Sequence, residues 1–166
     1  MKYVLWAVGV MAAAGVVVAV CGWLLPVGHV ASRTATFNRS PADVYAAVSD
    51  VAQYATWRSD VTRVEILDRR DGRVRFREHS TTGPIIMEIA EATPPRRMVT
   101  RIADPDQPFG GTWTFEITQT ATGAALTITE RGEVYNPIFR FVARFVFGHT
   151  ATMQKYLGAL QVKLRR

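Results

Sequence analysis

The sequence is poor in cysteine, lysine and histidine, with one, three and three of these among its 166 residues. The single cysteine, Cys21, excludes a disulfide within the chain. The sequence also lacks the cysteine and histidine spacing of metal sites, a glycine-rich phosphate loop, a dinucleotide fingerprint and the Ser/His/Asp order of hydrolases. We therefore expect neither a metal nor a cofactor, and standard cofactor enzymes are disfavoured.

Formal charge is absent from residues 3–32. Within this stretch an apolar run of 22 residues, 4–25, is long enough as a helix to cross the roughly 30 Å hydrocarbon core of a bilayer. Trp6 and Trp23 stand near its two ends, where aromatic residues meet the membrane interfaces. The sequence therefore predicts a single-pass membrane protein with an anchor at residues 1–28.

A cleaved secretory signal is the alternative to a retained anchor. The apolar region of a signal is usually about 7 to 15 residues long and ends at a small-x-small site, of which Val30 with Ser32 is only an approximation. We therefore favour the anchor. Lys2 before the apolar run is matched by Arg33 and Arg39 after it, so the distribution of charge barely determines how the helix is oriented in the membrane. The short basic tail before the run slightly favours a cytoplasmic amino terminus with the domain outside.

The net charge of +6 comes almost wholly from 17 arginines, which are scattered among acidic residues. A nucleic-acid site would cluster them on one face together with stacking aromatic residues. The only local concentration, at residues 69–77, is better explained as a solvated face or as attraction to anionic lipid headgroups. We expect the lipid bilayer as a partner and no nucleic acid, whereas protein partners stay unknown.

A strand and a capped helix follow the span. Alternation at 30–37 indicates the strand, and Ser40, Pro41 and Asp43 form an N-cap, a first-turn proline and a capping box. A short helix to about residue 50 should follow, with a second turn before Trp57. Period-two alternation then predicts antiparallel strands at 61–67, 73–79, 85–92, 97–102, 112–118 and 124–135.

The chain closes with the pattern of one long helix. Asn136 and Pro137 provide a second cap and first-turn proline, and helical periodicity continues to about Leu164. Apolar residues 100° apart on such a helix share one stripe, which should pack on the sheet. The stripe consists of Phe139, Val142, Val146, His149, Met153, Leu157, Leu160 and Leu164.

Three stretches carry a family resemblance: 40–67 (SPADVYAAVSDVAQYATWRSDVTRVEIL), 111–113 (GTW) and 126–130 (LTITE). Over about residues 30–164 the chain resembles the START-like, Bet v 1-related (SRPBCC) superfamily, in particular its polyketide cyclase/dehydrase and lipid-transport group. The resemblance implies an α+β helix-grip fold for residues 29–166, with a curved antiparallel sheet wrapped on a long C-terminal helix and two short helices after the first strand. It also implies a hydrophobic small molecule bound between sheet and helix.

Strand parity places large apolar side chains on one face of the sheet. Val74, Phe76 and Glu78, for example, lie opposite Arg75 and Arg77. Such a face is the interior of a filled core or, given the resemblance, the wall of a cavity, which we favour. The expected ligand-binding residues are Trp57, Phe76, Met87, Trp113, Phe115, Ile128, Phe139, Val142, Val146 and Met153.

Three ionisable residues, Glu78, Glu130 and His149, share the inward faces. A carboxylate in an apolar cavity has a raised pKa and can transfer protons. In the alternative that we favour, the glutamates lie at strand ends in water and His149 is a hydrogen-bonded core residue. The three are therefore the candidate catalytic residues, and none is assigned that role.

Arg140, Phe141, Arg144 and Phe147 fall outside the buried stripe of the last helix. Aromatic and basic side chains on the outside of a tethered domain form a candidate membrane-interface patch. In the alternative, which we favour, the two rings pack on the short helices or on a strand.

These features lead to three functional hypotheses. The first is a membrane-anchored protein that binds a lipid-like or polyketide-like molecule. The second is a cyclase or hydratase that acts on a hydrophobic substrate in the same cavity. The third is a scaffold without catalytic activity, whose filled domain serves as a partner surface.

Overall fold

The computed structural model describes residues 2–148 and 150–165. Helix α1, Lys2–Leu24, has a mean hydropathy of 2.5 over its most apolar window and is long and apolar enough to cross a membrane. Signal sequences near an amino terminus share these properties. Most of its large apolar side chains project away from the rest of the molecule, since Trp6 and Trp23 are both exposed.

Two short helices follow the first strand, as the sequence predicts. Helix α2, Pro41–Ser49, begins with the predicted capping box, because the Asp43 backbone N–H donates to Ser40 Oγ at 3.2 Å and the Ser40 N–H donates to the Asp43 carboxylate at 3.2 Å. A 3₁₀ turn, Val51–Gln53, leads into α3, Tyr54–Trp57. Helix α2 contacts the sixth and seventh strands of the sheet, and α3 contacts the second.

Seven strands form one sheet in which every neighbouring pair is antiparallel. Their order is β1-β7-β6-β5-β4-β3-β2, so β1 closes against the last strand rather than against the second. The predicted strands are all present, with ends shifted by a few residues. Their bounds are Gly28–Phe37 (β1), Val61–Arg70 (β2), Arg73–Ser80 (β3), Gly83–Thr93 (β4), Arg97–Ile102 (β5), Phe109–Thr120 (β6) and Gly123–Val134 (β7).

Close approach of β6 and β7 requires glycine at Gly111. This residue has φ +130°, and a Cβ atom there would overlap the backbone carbonyl of Arg131. Its register partner is another glycine, Gly132. Two facing glycines therefore bring the strands together near the end at which β7 leaves the sheet.

The predicted single helix over 136–164 is wrong in its extent. The chain forms α4 (Pro137–Val142), a π-helical segment (Ala143–Phe147) and α5 (Ala151–Arg165). Gly148 lies between the π-helical segment and α5 with φ +71° and ψ 157°, a backbone conformation that is essentially restricted to glycine, that ends the helix and that periodicity does not report.

The break changes the predicted apolar stripe. Phe139 and Val146, expected on the buried side, are 52% and 65% exposed. Met153, Leu157 and Leu160, which lie beyond the break, are buried as expected. The predicted His149 lies outside the described residues.

Helix α5 fills one half of the concave face of the sheet. Met153 and Leu160 are fully buried with Leu126 and Ile128 of β7, and Val48 of α2 completes this core. The α+β helix-grip fold expected from the sequence is thereby confirmed, with an apolar helix at the amino terminus.

The end of α1 packs against α4. Gly22 is buried, and a Cβ atom there would overlap the backbone carbonyl of Pro137. The Arg140 guanidinium donates to the Leu25 carbonyl at 2.7 Å and to the Tyr135 carbonyl at 3.3 Å. Helix α1 is therefore joined to the domain by direct contacts as well as by the chain.

This contact predicts a position-specific effect of alanine within α1. We expect Gly22→Ala to force α1 and α4 apart at a cost of about 1–2 kcal/mol, raising amide exchange in α4 by about 5- to 30-fold. Hydrogen–deuterium exchange of the detergent-solubilised full chain measures this. Gly15→Ala is the matched control, because nothing lies within 4 Å of a Cβ atom there. Equal exchange in the two variants would contradict the contact.

Candidate functional site

The half of the concave face that α5 leaves uncovered encloses a cavity of about 690 Å³. Residues 137–147, which we call the mouth segment, lie over it without filling it. Exposed lining residues mark its opening: Phe109, Glu133, Phe139 and Gly148, with Thr82 and Thr152 beside them. The apolar wall consists of Phe76, Ile85, Met87, Ile102, Phe109, Trp113, Phe115, Val134, Phe139 and Val142.

Arg58 and two carboxylates form a buried polar group in the cavity region, the Arg58 cluster. Arg58 donates to both oxygens of Glu78, at 2.8 and 3.0 Å, and to Asp60 at 2.7 Å. Its guanidinium carbon lies 5.2 Å from the ring centroid of Tyr54 and 5.3 Å from that of Tyr156. Ion pairing and two aromatic faces together hold this cation where its side chain is only 10% exposed.

Burial and the charge of Arg58 oppose each other at the two carboxyl groups of the Arg58 cluster. Burial prevails at Glu78. It raises the pKa of Glu78 above its usual range, against the opposing charge of Arg58. Burial acts in the same direction on Asp60, but there the hydrogen bond and charge of Arg58 prevail and the pKa is lowered. Glu78 is therefore the carboxyl group of the pair that takes up a proton more readily.

Tyr54 and Tyr156 join the Arg58 cluster to the core. The Tyr156 hydroxyl donates to the Tyr54 hydroxyl at 3.3 Å, which donates to the Val48 carbonyl at 2.6 Å. Burial raises the pKa of Tyr54 to about 12 and that of Tyr156 well above its ordinary value. Both phenols stay neutral at physiological pH, and the Tyr156 ring lies 5.9 and 5.7 Å from those of Trp113 and Phe115.

A second polar pair lies on two neighbouring strands, β1 and β7. His29 Nε2 of β1 is 3.2 Å from Glu130 Oε1 of β7, and both side chains line the cavity. The register pairs Glu130 with Ala31 on one side and with Trp113 on the other. A carboxylate is thus placed among apolar side chains with a histidine as its neighbour.

The predicted ligand-binding residues divide into two groups. Six line the cavity, while Trp57, Ile128 and Met153 pack in the core and Val146 is exposed at the surface. Core and cavity share the concave face, so strand parity does not distinguish them. The six that line the cavity are Phe76, Met87, Trp113, Phe115, Phe139 and Val142.

Glu78 and Glu130 both line the cavity and are both paired with basic side chains, rather than lying at strand ends in water. His149 is not among the described residues. Of the predicted membrane-interface patch, Arg144 is exposed, Phe141 packs on Phe145 with ring centroids 4.9 Å apart and Arg140 binds backbone carbonyls. The side chain of Phe147 also lies outside what the structure describes.

Sequence reasoning did not single out Arg58, Tyr156 or His29 as site residues. Parity contained the signal for His29, because it shares a face of β1 with Ala31, Ala35 and the buried Phe37. No comparable signal marks Arg58, which follows α3 and whose partner Glu78 is 20 residues away.

A family profile described as "Polyketide cyclase / dehydrase and lipid transport" matches residues 29–165. The chain belongs to this family. The resemblance seen in the sequence is therefore confirmed, and the match begins just after α1. No curated protein matches the chain.

Several solved structures share this fold. The Zhui aromatase/cyclase from Streptomyces sp. R1128 has a TM-score of 0.70 at 14% identity, over 84% of this chain and 94% of that one. A START superfamily protein from Mycobacterium smegmatis has a TM-score of 0.65 at 19% identity, over 82% of this chain and 97% of that one. The di-domain ARO/CYC protein StfQ from the steffimycin biosynthetic pathway has a TM-score of 0.69 at 13% identity over 84% of this chain. The match covers 52% of StfQ, so this chain spans about half the length of that protein. Such identities show a shared fold alone.

The Arg58 cluster predicts a pH-dependent loss of stability when the cation is removed. We expect Arg58→Met to leave Glu78 buried without its cation and to cost about 3–5 kcal/mol near neutral pH. The folded pKa of Glu78 then lies further above its unfolded value, so the carboxyl group takes up a proton as the pH falls through the folded pKa, and the loss shrinks until the pH reaches the unfolded value of about 4.5. Denaturant unfolding followed by tryptophan fluorescence measures this.

Two controls belong to this experiment. Arg58→Met/Glu78→Gln removes the buried charge and should recover part of the loss at neutral pH. Arg70→Met, at an exposed ion pair with Asp68, should change stability little. A loss in Arg58→Met that does not vary with pH would contradict the role of Glu78.

Proposed function

We propose that the protein binds a hydrophobic small molecule, lipid-like or polyketide-like, in the cavity between the sheet and the mouth segment. The observation that carries this proposal is a 690 Å³ space whose walls are mainly aliphatic and aromatic. That volume lies within the about 300–1,000 Å³ of typical ligand pockets. The family to which the chain belongs includes lipid transport in its description.

The polar groups on the wall support an apolar ligand. Arg58 is paired with Glu78 and Asp60 through its two terminal nitrogens, while its Nε has no hydrogen-bond partner among the described residues, and Glu130 is paired with His29. Entry of an apolar molecule therefore removes none of these partners, so the desolvation cost of an unpaired buried charge does not arise.

We further propose that α1 is a retained membrane anchor and that residues 29–166 form the binding domain. The contacts of Gly22 with Pro137 and of Arg140 with the Leu25 carbonyl support retention. A segment removed after secretion would take these contacts with it and would leave the Arg140 guanidinium without that acceptor.

Cavity filling tests the binding proposal. We expect Ile85→Trp/Ile102→Trp, two substitutions on the cavity wall, to lose most of the hydrophobic molecule that wild-type protein carries. Lipid extraction and native mass spectrometry of the detergent-purified full chain provide the measurement, and the intact mass shows whether α1 is retained.

Leu67→Trp/Val162→Trp is the matched control, because both positions are exposed and lie outside the cavity. Lipid bound around α1 is common to both variants, so their difference reports the cavity alone. Equal amounts of extracted molecule in the two variants would overturn the proposal.

A cyclase or hydratase activity is the second candidate, favoured by two carboxylates, Glu78 and Glu130, on one cavity wall. If Glu78 or Glu130 transfers a proton to the ligand, Glu78→Gln or Glu130→Gln should accumulate a species that differs from the wild-type product by the elements of water. Mass spectrometry of the same extracts measures this difference. Identical masses from wild type and both variants would exclude this hydratase chemistry and leave binding alone.

A further inference from the structure

The anchor and the mouth segment meet at the same end of the sheet. β1 begins at Gly28, four residues after α1 ends, and β7 ends at Val134, three residues before α4 begins. The register pairs Gly28 with Glu133, and the Val134 N–H donates to the Val27 carbonyl at 2.9 Å. The chain therefore enters the sheet from α1 and leaves it towards α4 at adjacent points.

Helix α4 lies beside the last turn of α1, and this contact fixes where α4 begins along the axis of α1. Pro137 contacts Gly22, three residues before the apolar run ends at Leu25. Three helical residues correspond to roughly 4.5 Å along the axis. If α1 spans a bilayer, the first turn of α4 therefore lies at the level of the interface and not in bulk water.

The mouth segment, which begins at that level, exposes large apolar side chains. Ile138, Phe139, Phe145 and Val146 are 50%, 52%, 63% and 65% exposed. Arg144 lies among them and is also exposed. Four such side chains within nine residues, with a cation beside them, match the composition of segments that rest in a membrane interface.

The same segment borders the cavity. Phe139, Val142 and Ala143 line it, and the neighbouring Phe109, which is paired with Val134, is exposed at the opening. The opening and the exposed apolar side chains therefore share one side of the domain, the side on which α1 lies.

We propose that the cavity opens against the bilayer that α1 spans, and that the mouth segment rests in its interface. A hydrophobic molecule then exchanges directly between bilayer and cavity without crossing bulk water. This inference rests on the proposed function for the ligand and on α1 as the anchor. The occupant of the exposed apolar surface is lipid, because continuity with α1 fixes the depth of that surface.

Depth-dependent quenching tests the placement independently of any ligand. In a Cys21→Ser background, single cysteines replace Ile138 or Val146, neither of which lines the cavity. Each is labelled with the environment-sensitive fluorophore NBD and the full chain is reconstituted into vesicles of phosphatidylcholine and phosphatidylglycerol, with or without doxyl-labelled lipid. Matched labels at Leu67 and Val162, also exposed, serve as controls.

We expect blue-shifted emission at 138 and 146 and loss of most of it with doxyl-labelled lipid, with neither change at 67 and 162. Quenching at 138 and 146 no stronger than at the controls would overturn the inference. A blue shift without lipid quenching would also overturn it, since a second copy or another protein would then cover the surface.

The extraction experiment tests the proposed function separately from this placement. If the cavity carries a molecule while the labels at 138 and 146 stay unquenched, the binding function stands and the membrane-facing opening is ruled out. If the labels are quenched but the chain carries no molecule, the placement in the membrane interface stands and the binding function is ruled out.

Discussion

The architecture depends on a mismatch of length: the concave face of the sheet extends beyond the helix that fills it. Gly148, with φ +71°, ends the helical path, so α5 supplies Met153, Leu157 and Leu160 to one half of that face only. That half is a close-packed core. The other half is covered by α4 and the π-helical segment, which leave about 690 Å³ open.

The electrostatics of the cavity follow from this division. Arg58 lies where core and cavity meet, between the rings of Tyr54 and Tyr156, and it binds two carboxylates. A buried ion pair of this kind adds little net stability, because desolvation of its charges offsets most of the Coulombic gain. Arg58 keeps the carboxylate of Glu78 paired at the wall of an otherwise apolar space.

Much of the fold could be predicted from the sequence, because its signals are local. The capping box at Ser40 and Asp43, the period-two strands and the apolar run each depend on neighbouring residues, and the structure contains all three. The family resemblance supplied the curved antiparallel sheet wrapped on the last helix and the two short helices after the first strand. The site was harder to predict. Parity identifies the concave face but not which half of it is filled, so Ile128 and Phe115 look alike in sequence although only Phe115 reaches the cavity. Arg58 and Glu78 meet only because α3 and β3 converge in space.

The connection between α1 and β1 has a consequence for transport. Leu25, Pro26 and Val27 are the only residues between the helix and the sheet, and Val27 already bonds to the end of β7. If α1 is retained as the proposed anchor, so short a link holds the domain at one bilayer, and the domain cannot diffuse to another membrane with a bound ligand. The search for the proposed ligand is then two-dimensional, in the plane of that bilayer. Onward transfer would in that case require a second component that comes to the domain.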